Sequence, residues 1–279
     1  MRMEAFFAPY FPWMALVLGL LIGSFLNVVI YRLPVMLLRT HSDPESLNGL
    51  PDVNLWWPPS HCPMCQTNIK PWDNIPVLSW LLLRGKCRHC KCTIPFQYPL
   101  SEALIGAGYF ALVYFYYPQH SLVQIGFIAL FFSLLYTLAM IDIKTFLLPD
   151  SLVFLLMWAG LIASVRNVIP VSPRDSVMGA AFIWIFTWLM AQGYAWIARR
   201  EGFGQGDVKL FAACAVWLGN DNIAHLMLGS AALGAVFFIV RWVMSKKKSH
   251  QDDESEGYLP FGPAIAITAL VVMHMEVLK

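Results

Sequence analysis

The chain has 279 residues, 58% hydrophobic and 13% charged, with a formal net charge of +2. A soluble domain of this size is nearer half apolar and a quarter charged, so the composition argues against a water-soluble fold. The excess lies in long blocks separated by short polar joints, which is how a polytopic membrane protein reads. The near-balanced charge and the lack of an extended basic face argue against a nucleic-acid partner.

Eight apolar stretches are candidate membrane helices: 11–30, 99–118, 122–141, 151–169, 176–197, 203–218, 223–244 and 258–277. A span needs about 20 apolar residues. The first, with Arg2 before it, has the outline of a signal peptide. It is long enough to span, however, and no small-residue cleavage site follows it. Tyr31-Arg32-Leu33-Pro34 reads as an exit at the membrane interface, so a retained first helix is expected. The sixth stretch is the shortest and contains Asp207. Gly219-Asn220-Asp221-Asn222 stops it, and the seventh follows at once, which predicts a helical hairpin.

Orientation follows from Lys and Arg. With the N-terminus outside, only Arg2, Arg166, Arg174 and Lys279 of the 19 Lys and Arg residues fall on the outer side. An even number of spans then puts both termini outside. The expected architecture is all-α, in three parts: a first transmembrane helix at 1–30, a cytoplasmic loop domain at 31–98 and a seven-helix membrane core at 99–279. The Lys-rich and acidic segment 245–257 reads as a solvated connector.

The loop domain carries two Cys-x-x-Cys pairs, Cys62 with Cys65 and Cys87 with Cys90, separated by 21 residues. Two such knuckles can close a tetrahedron of thiolates around zinc. A reducing cytoplasm argues against disulfides, and neither pair has the strand–helix setting of a thioredoxin motif. With four sulfur ligands the metal has no open position, so its expected role is to fold a loop that lacks a hydrophobic core. Cys92 is a possible competing ligand and is read as a free thiol; Cys214, inside the sixth stretch, is read as a buried small hydrophobe.

Two aspartates stand out. Asp142 ends the third stretch, and Asp207 lies in Gly202-Phe203-Gly204-Gln205-Gly206-Asp207-Val208-Lys209. Ionisable groups at membrane depth are costly and usually functional, and both fall at the same face. Two close carboxyls in a low-dielectric site share a proton, which is the condition for aspartyl proteolysis. Gly204 and Gly206 give the backbone freedom to bend and let a substrate strand approach. The competing reading is a pair of helix-end charges, with Asp207 as a cap; residue types and spacing alone leave both open. Gly202-x-Gly204-x-Gly206 is no dinucleotide turn, because no strand precedes it. Lys144 and Lys209 follow the aspartates by two residues and face elsewhere.

Several segments, in order, resemble the bacterial type IV prepilin peptidases. They are Gly23-Ser24-Phe25-Leu26-Asn27 through Pro34, both cysteine knuckles, Asn74-Ile75-Pro76-Val77-Leu78-Ser79-Trp80, Tyr98-Pro99-Leu100-Ser101-Glu102, Ile141-Asp142 with Leu148-Pro149-Asp150, and Gly204-Gln205-Gly206-Asp207-Val208-Lys209-Leu210. The resemblance implies an inner-membrane aspartyl protease with a Gly-x-Gly-Asp motif, in which Asp142 and Asp207 are the catalytic pair. Such enzymes cut a basic leader from prepilins or type II secretion pseudopilins after a glycine, at the cytoplasmic face. Many members then methylate the new N-terminus with S-adenosylmethionine. The zinc loop marks these two-function members, so 31–98 is expected to serve methyl transfer. The polar residues Arg32, Asp73, Asn74 and Glu102 are candidates for that cofactor's site. Alternatives are an ion-coupled transporter using the two aspartates, which leaves the zinc loop unexplained, and a protease without methyl transfer.

Overall fold

The structure is a computed structural model and describes residues 7–41, 52–199, 204–245 and 260–277. Among these residues there is no β-strand, only two isolated bridges in the cysteine loop. Nine α-helices are described: α1 Phe11–His41, α2 Leu78–Leu82, α3 Gln97–Tyr116, α4 Leu122–Thr145, α5 Asp150–Val165, α6 Pro173–Ala198, α7 Gln205–Leu218, α8 Ile223–Ser245 and α9 Gly262–Val272. The all-helical expectation holds for the described residues. Helices are what an apolar chain must form in lipid, where each backbone N–H and C=O needs an internal partner.

A helix lies on each of the eight apolar stretches. Four helical segments are long and apolar enough to cross a membrane: Ala8–Thr40, Leu122–Thr145, Pro173–Ala198 and Asn220–Val243. Asp150–Val165 and Gly262–Met275 are apolar but shorter.

The chain forms two compact units, Met1–Ser133 and Leu134–Lys279, with the boundary inside α4. In the first, α1 packs along α3. Small residues set that contact: a Cβ on Gly19 would stand 2.9 Å from the Gly106 Cα, and one on Gly23 would stand 2.9 Å from the Glu102 Cα. The Gly19-x-x-x-Gly23 spacing lets the two backbones approach, as in membrane helix pairs. The first helix does not end at Ile30. It runs on to His41 with Pro34 inside it, so Tyr31–Pro34 belong to a helix. The apolar run Leu33, Val35, Met36, Leu37 and Leu38 sustains it, and the buried Arg32 on this extension grips the start of the loop.

In the second unit α7 is the centre. Val208 and every residue from Leu210 to Leu218 are buried. Helices α5, α6 and α9 pack around it, and α8 packs chiefly on α9. Trp217 donates its Nε1–H to the Leu156 carbonyl at 2.9 Å, and Gly160 leaves room for that indole. Ser176 donates to the Val216 carbonyl at 2.8 Å. At 14 residues, α7 is about 21 Å long, short of the roughly 30 Å hydrocarbon core. Its neighbours cover it with protein, which explains how a short helix carrying an aspartate is tolerated. The described part of this helix starts at Gln205; the expected start near Phe203 lies outside the described residues. Gly219 ends α7 at φ 79°, and a single 3-10 turn, Asn220–Asn222, leads into α8.

Candidate active site and cysteine cluster

Asp142 lies one turn before the end of α4 and is 5% exposed. Its Oδ2 accepts a buried hydrogen bond from the Gly262 backbone N–H at 2.8 Å. Gly262 is the first residue of α9. Asp207 is the third residue of α7 and is half-buried. Both carboxyls belong to the second unit, one near the end of α4 and the other in the first turn of α7. Two carboxyls that meet in a low-dielectric site can hold one proton between them.

The bland alternative for Asp207 was a helix cap. The N-cap position belongs to Gly204, which makes no side-chain capping bond, and among the described residues nothing hydrogen-bonds to the Asp207 carboxylate. The glycines make room. A Cβ on Gly204 would stand 3.1 Å from Asp207 Oδ2, and one on Gly206 would stand 3.0 Å from the Leu148 Cβ. Lys209 pairs with Asp150, with Nζ 2.7 and 2.8 Å from its two oxygens, and Lys144 is exposed. Gly262 was not foreseen: a backbone donor carries no side-chain signature. Its trace in the sequence is a glycine before Pro263, the residue that opens α9.

In the first unit the sulfurs of Cys62, Cys65, Cys87 and Cys90 all lie within 4.8 Å of one another. Zn–S bonds of about 2.3 Å in a tetrahedron separate sulfurs by about 3.8 Å. The Cys62–Cys90 and Cys65–Cys87 separations are 3.7 and 4.0 Å, so the donor set fits zinc. The two knuckles share one construction. Gln66 N–H bonds to the Cys62 carbonyl at 2.9 Å and Lys91 N–H to the Cys87 carbonyl at 3.1 Å. Gln66 and Lys91, the residues after each second cysteine, are left-handed at φ 56° and 59°. Cys62 N–H then bonds to the Thr67 carbonyl, and Cys87 N–H to the Cys92 carbonyl. Cys92 therefore occupies the place in its knuckle that Thr67 has in the other. Thr67 lies 3.4 Å from Cys65 Sγ, and Cys92 Sγ lies 3.4 Å from Cys62 Sγ. Both stand behind a ligand sulfur. The backbone N–H groups of Cys65 and Met64 hold the Cys62 thiol down at about 6, and the Thr67 hydroxyl lowers that of Cys65. Two of the four ligand sulfurs are thus biased toward the thiolate a metal needs, while the neighbouring Cys92 sulfur, burial and the other sulfurs push the Cys90 thiol up to about 12.

A cavity of about 950 Å³ opens beside the cluster, and Ser24, Asn27, Arg32, Asp73, Asn74 and Glu102 are among the residues that line it. The structure separates the four polar candidates. Arg32, 8% exposed, donates to the Asn54 carbonyl at 2.9 Å and the Pro58 carbonyl at 2.7 Å, clamping the loop to α1. Asp73 is paired with Arg88, which donates through Nε at 2.8 Å and holds the Asp73 carboxyl below its usual range. Glu102 Oε2 accepts from the Val77 N–H at 2.7 Å. Val77 has φ 60° and ψ −49°, and Leu78 N–H bonds to the Pro76 carbonyl at 2.6 Å. This is a γ-turn of the rare, strained kind, held at the cavity wall by Glu102. Asn74 closes the 3-10 turn Pro71–Asn74 and lines the cavity.

Residues 17–117 match the family described as bacterial peptidase A24 N-terminal domain, and residues 128–239 match the type IV leader peptidase family. A prepilin leader peptidase/N-methyltransferase of Pectobacterium carotovorum is 41% identical over 97% of this chain and 96% of the relative. Proteins of that name from Stutzerimonas stutzeri and Neisseria gonorrhoeae are 40% and 38% identical over 93% and 95% of this chain, and 89% and 91% of their own lengths. No solved structure matches the chain. The chain belongs to the prepilin leader peptidase family.

Proposed function

We propose that this membrane protein removes the leader peptide of type IV prepilins or type II secretion pseudopilins and then methylates the new N-terminus. Asp142 and Asp207 are the proteolytic pair. The observation that carries this reading is their placement: one carboxyl near the end of α4, anchored by a backbone donor from the start of α9, and the other in the first turn of α7, the helix whose Phe211 packs on the Phe261 that precedes that donor. The ionised member takes a proton from water, and the protonated member polarises the scissile carbonyl and later donates to the leaving amine. Gly204 leaves the space beside the Asp207 carboxyl free of a side chain, and Gly206 leaves room for Leu148. The Lys and Arg distribution supports a site at the cytoplasmic face of the inner membrane, and with eight apolar stretches read as spans both termini face outward. A prepilin has its basic leader and its apolar helix meeting at that face.

Zinc, held by Cys62, Cys65, Cys87 and Cys90, organises the loop that forms one wall of the cavity in the first unit. The cavity's volume falls at the upper end of the range for small-molecule sites, about 300–1,000 Å³. It combines apolar walls with a few convergent polar groups, so it suits S-adenosylmethionine, which supplies the methyl group when bound. Glu102, which lines the cavity, would supply the carboxylate that attracts a sulfonium cation, while Arg32 and Asp73 keep the surrounding loops in position.

The test is purified protein in detergent with a prepilin substrate and S-adenosylmethionine. Mass spectrometry should find the leader removed and one methyl group on the new N-terminus. An uncut substrate would refute the proteolytic reading, and a cut but unmethylated product would restrict the enzyme to proteolysis.

A further inference from the structure

We propose that Gly262 is a positioning residue of the protease: its backbone N–H fixes the Asp142 carboxylate, and its missing side chain is what admits that carboxylate. The inference rests on reading Asp142 as one of the proteolytic pair.

The first N–H groups of a helix have no partner within it. At the start of α9 the accounts close on a single donor. Pro263 has no N–H, and the N–H groups of Ala264 and Ile265 bond to the Phe261 carbonyl at 3.0 and 3.2 Å. Gly262 N–H remains, and it goes to Asp142 Oδ2 at 2.8 Å. With Oδ2 engaged, Oδ1 is left for proton exchange.

Space makes the same point independently. A Cβ on Gly262 would lie 2.8 Å from Asp142 Oδ2 and 3.2 Å from both its Cβ and Cγ. Gly262 does not sit in the left-handed region, since only Gly85 and Gly219 among the described glycines have positive φ. Backbone conformation therefore does not demand glycine here; the carboxylate does. The helix start is itself pinned. The Phe261 ring packs 6.1 Å from that of Phe211 on α7 and fills the space that Gly234 of α8 leaves open. The donor to Asp142 is thus fixed against the helix that carries Asp207.

Gly262→Ala tests this, because alanine keeps the N–H and adds only the Cβ. A displacement of about 1 Å at a reacting group costs roughly 100-fold in rate. The 2.8 Å contact calls for a shift of roughly half that distance, so cleavage kcat should fall about tenfold while KM stays within about twofold and methylation of a pre-cleaved substrate is unchanged. Ile267→Ala, on the exposed face of the same helix, should cleave at the wild-type rate. A Gly262→Ala enzyme with wild-type kcat, or one that loses methyl transfer in step with cleavage, overturns the proposal. Should the variant fail to insert, amide hydrogen exchange decides. The Gly262 amide should be protected in the wild type and exchange faster in Asp142→Ala; equal rates overturn the proposal. The two readings fail separately. An active Asp142→Asn enzyme removes the proteolytic pair itself, whereas an inactive Asp142→Asn beside a normal Gly262→Ala removes only the positioning role.

Discussion

Gly206→Ala is a sharp probe of how the second aspartate is held. The new Cβ would lie 3.0 Å from the Leu148 Cβ, 3.3 Å from its Cδ1 and 3.5 Å from its Cγ. Carbon atoms pack best at about 3.5–4.0 Å, so the closest contact is short by roughly half an ångström. Leu148 cannot easily retreat. It precedes Pro149, the N-cap of α5, whose φ is −60°, and a residue before proline has restricted backbone freedom. The first turn of α7 must therefore move by about that half ångström, and Asp207 is the next residue. If 1 Å costs roughly 100-fold, half of that costs about tenfold in kcat. Stability should change little, because overpacking costs about 1–3 kcal/mol while exchanging glycine for alanine in a helix returns about 1 kcal/mol. The assay is the initial rate of prepilin cleavage in detergent, beside thermal unfolding and methylation of a pre-cleaved substrate. A tenfold slower cleavage with intact methyl transfer is expected. Cleavage at the wild-type rate would refute the steric reasoning, and a protein that no longer folds would show the packing cost to be understated.

Further outcomes follow from the first unit. Metal analysis of purified protein should find one zinc per chain, lost on Cys62→Ser or Cys87→Ser but kept in Cys92→Ser, whose sulfur stands behind a ligand; a zinc-free wild type would refute the site. Acidification should release the metal, because protons compete for the thiolates, and recovery on raising the pH would show that release and not unfolding was measured. Glu102→Gln should weaken S-adenosylmethionine binding by at least about tenfold in calorimetry, equivalent to about 1.4 kcal/mol, and leave leader cleavage intact. Arg32→Ala removes a charged donor from two loop carbonyls and should cost about 2 kcal/mol, seen as faster limited proteolysis near Asn54–Pro58; an unchanged digestion rate would mean the clamp is dispensable.

What was legible in the sequence was local or costly. The cysteine knuckles follow from spacing, since two ligands three residues apart are presented by one turn. Asp142 and Asp207 stood out because charge at membrane depth is expensive, and the structure brings them into one unit. The helices of the apolar stretches were visible from composition, although among the described residues only four are long and apolar enough to cross a membrane by themselves. Other features depended on contacts distant in the chain. The continuation of α1 past Ile30 carries Arg32, whose partners are the distant Asn54 and Pro58 carbonyls. The short α7 is acceptable because α5, α6 and α9 enclose it. Gly262 meets Asp142 across 120 residues through a backbone N–H, which no residue type announces. Cys92 was read from the sequence as a free thiol, and its place opposite Thr67 in the second knuckle became visible only with the fold.

The central claim is that Asp142 and Asp207 cut the leader together, and isosteric substitution tests it most directly. Asp142→Asn and Asp207→Asn should each be prepared in membranes beside the wild type, with insertion, zinc content and methylation of a pre-cleaved substrate verified. Each asparagine keeps the shape of the carboxyl and removes its ability to share a proton. The account predicts that both variants leave the prepilin uncut while methyl transfer persists. Cleavage at the wild-type rate by either one would contradict it.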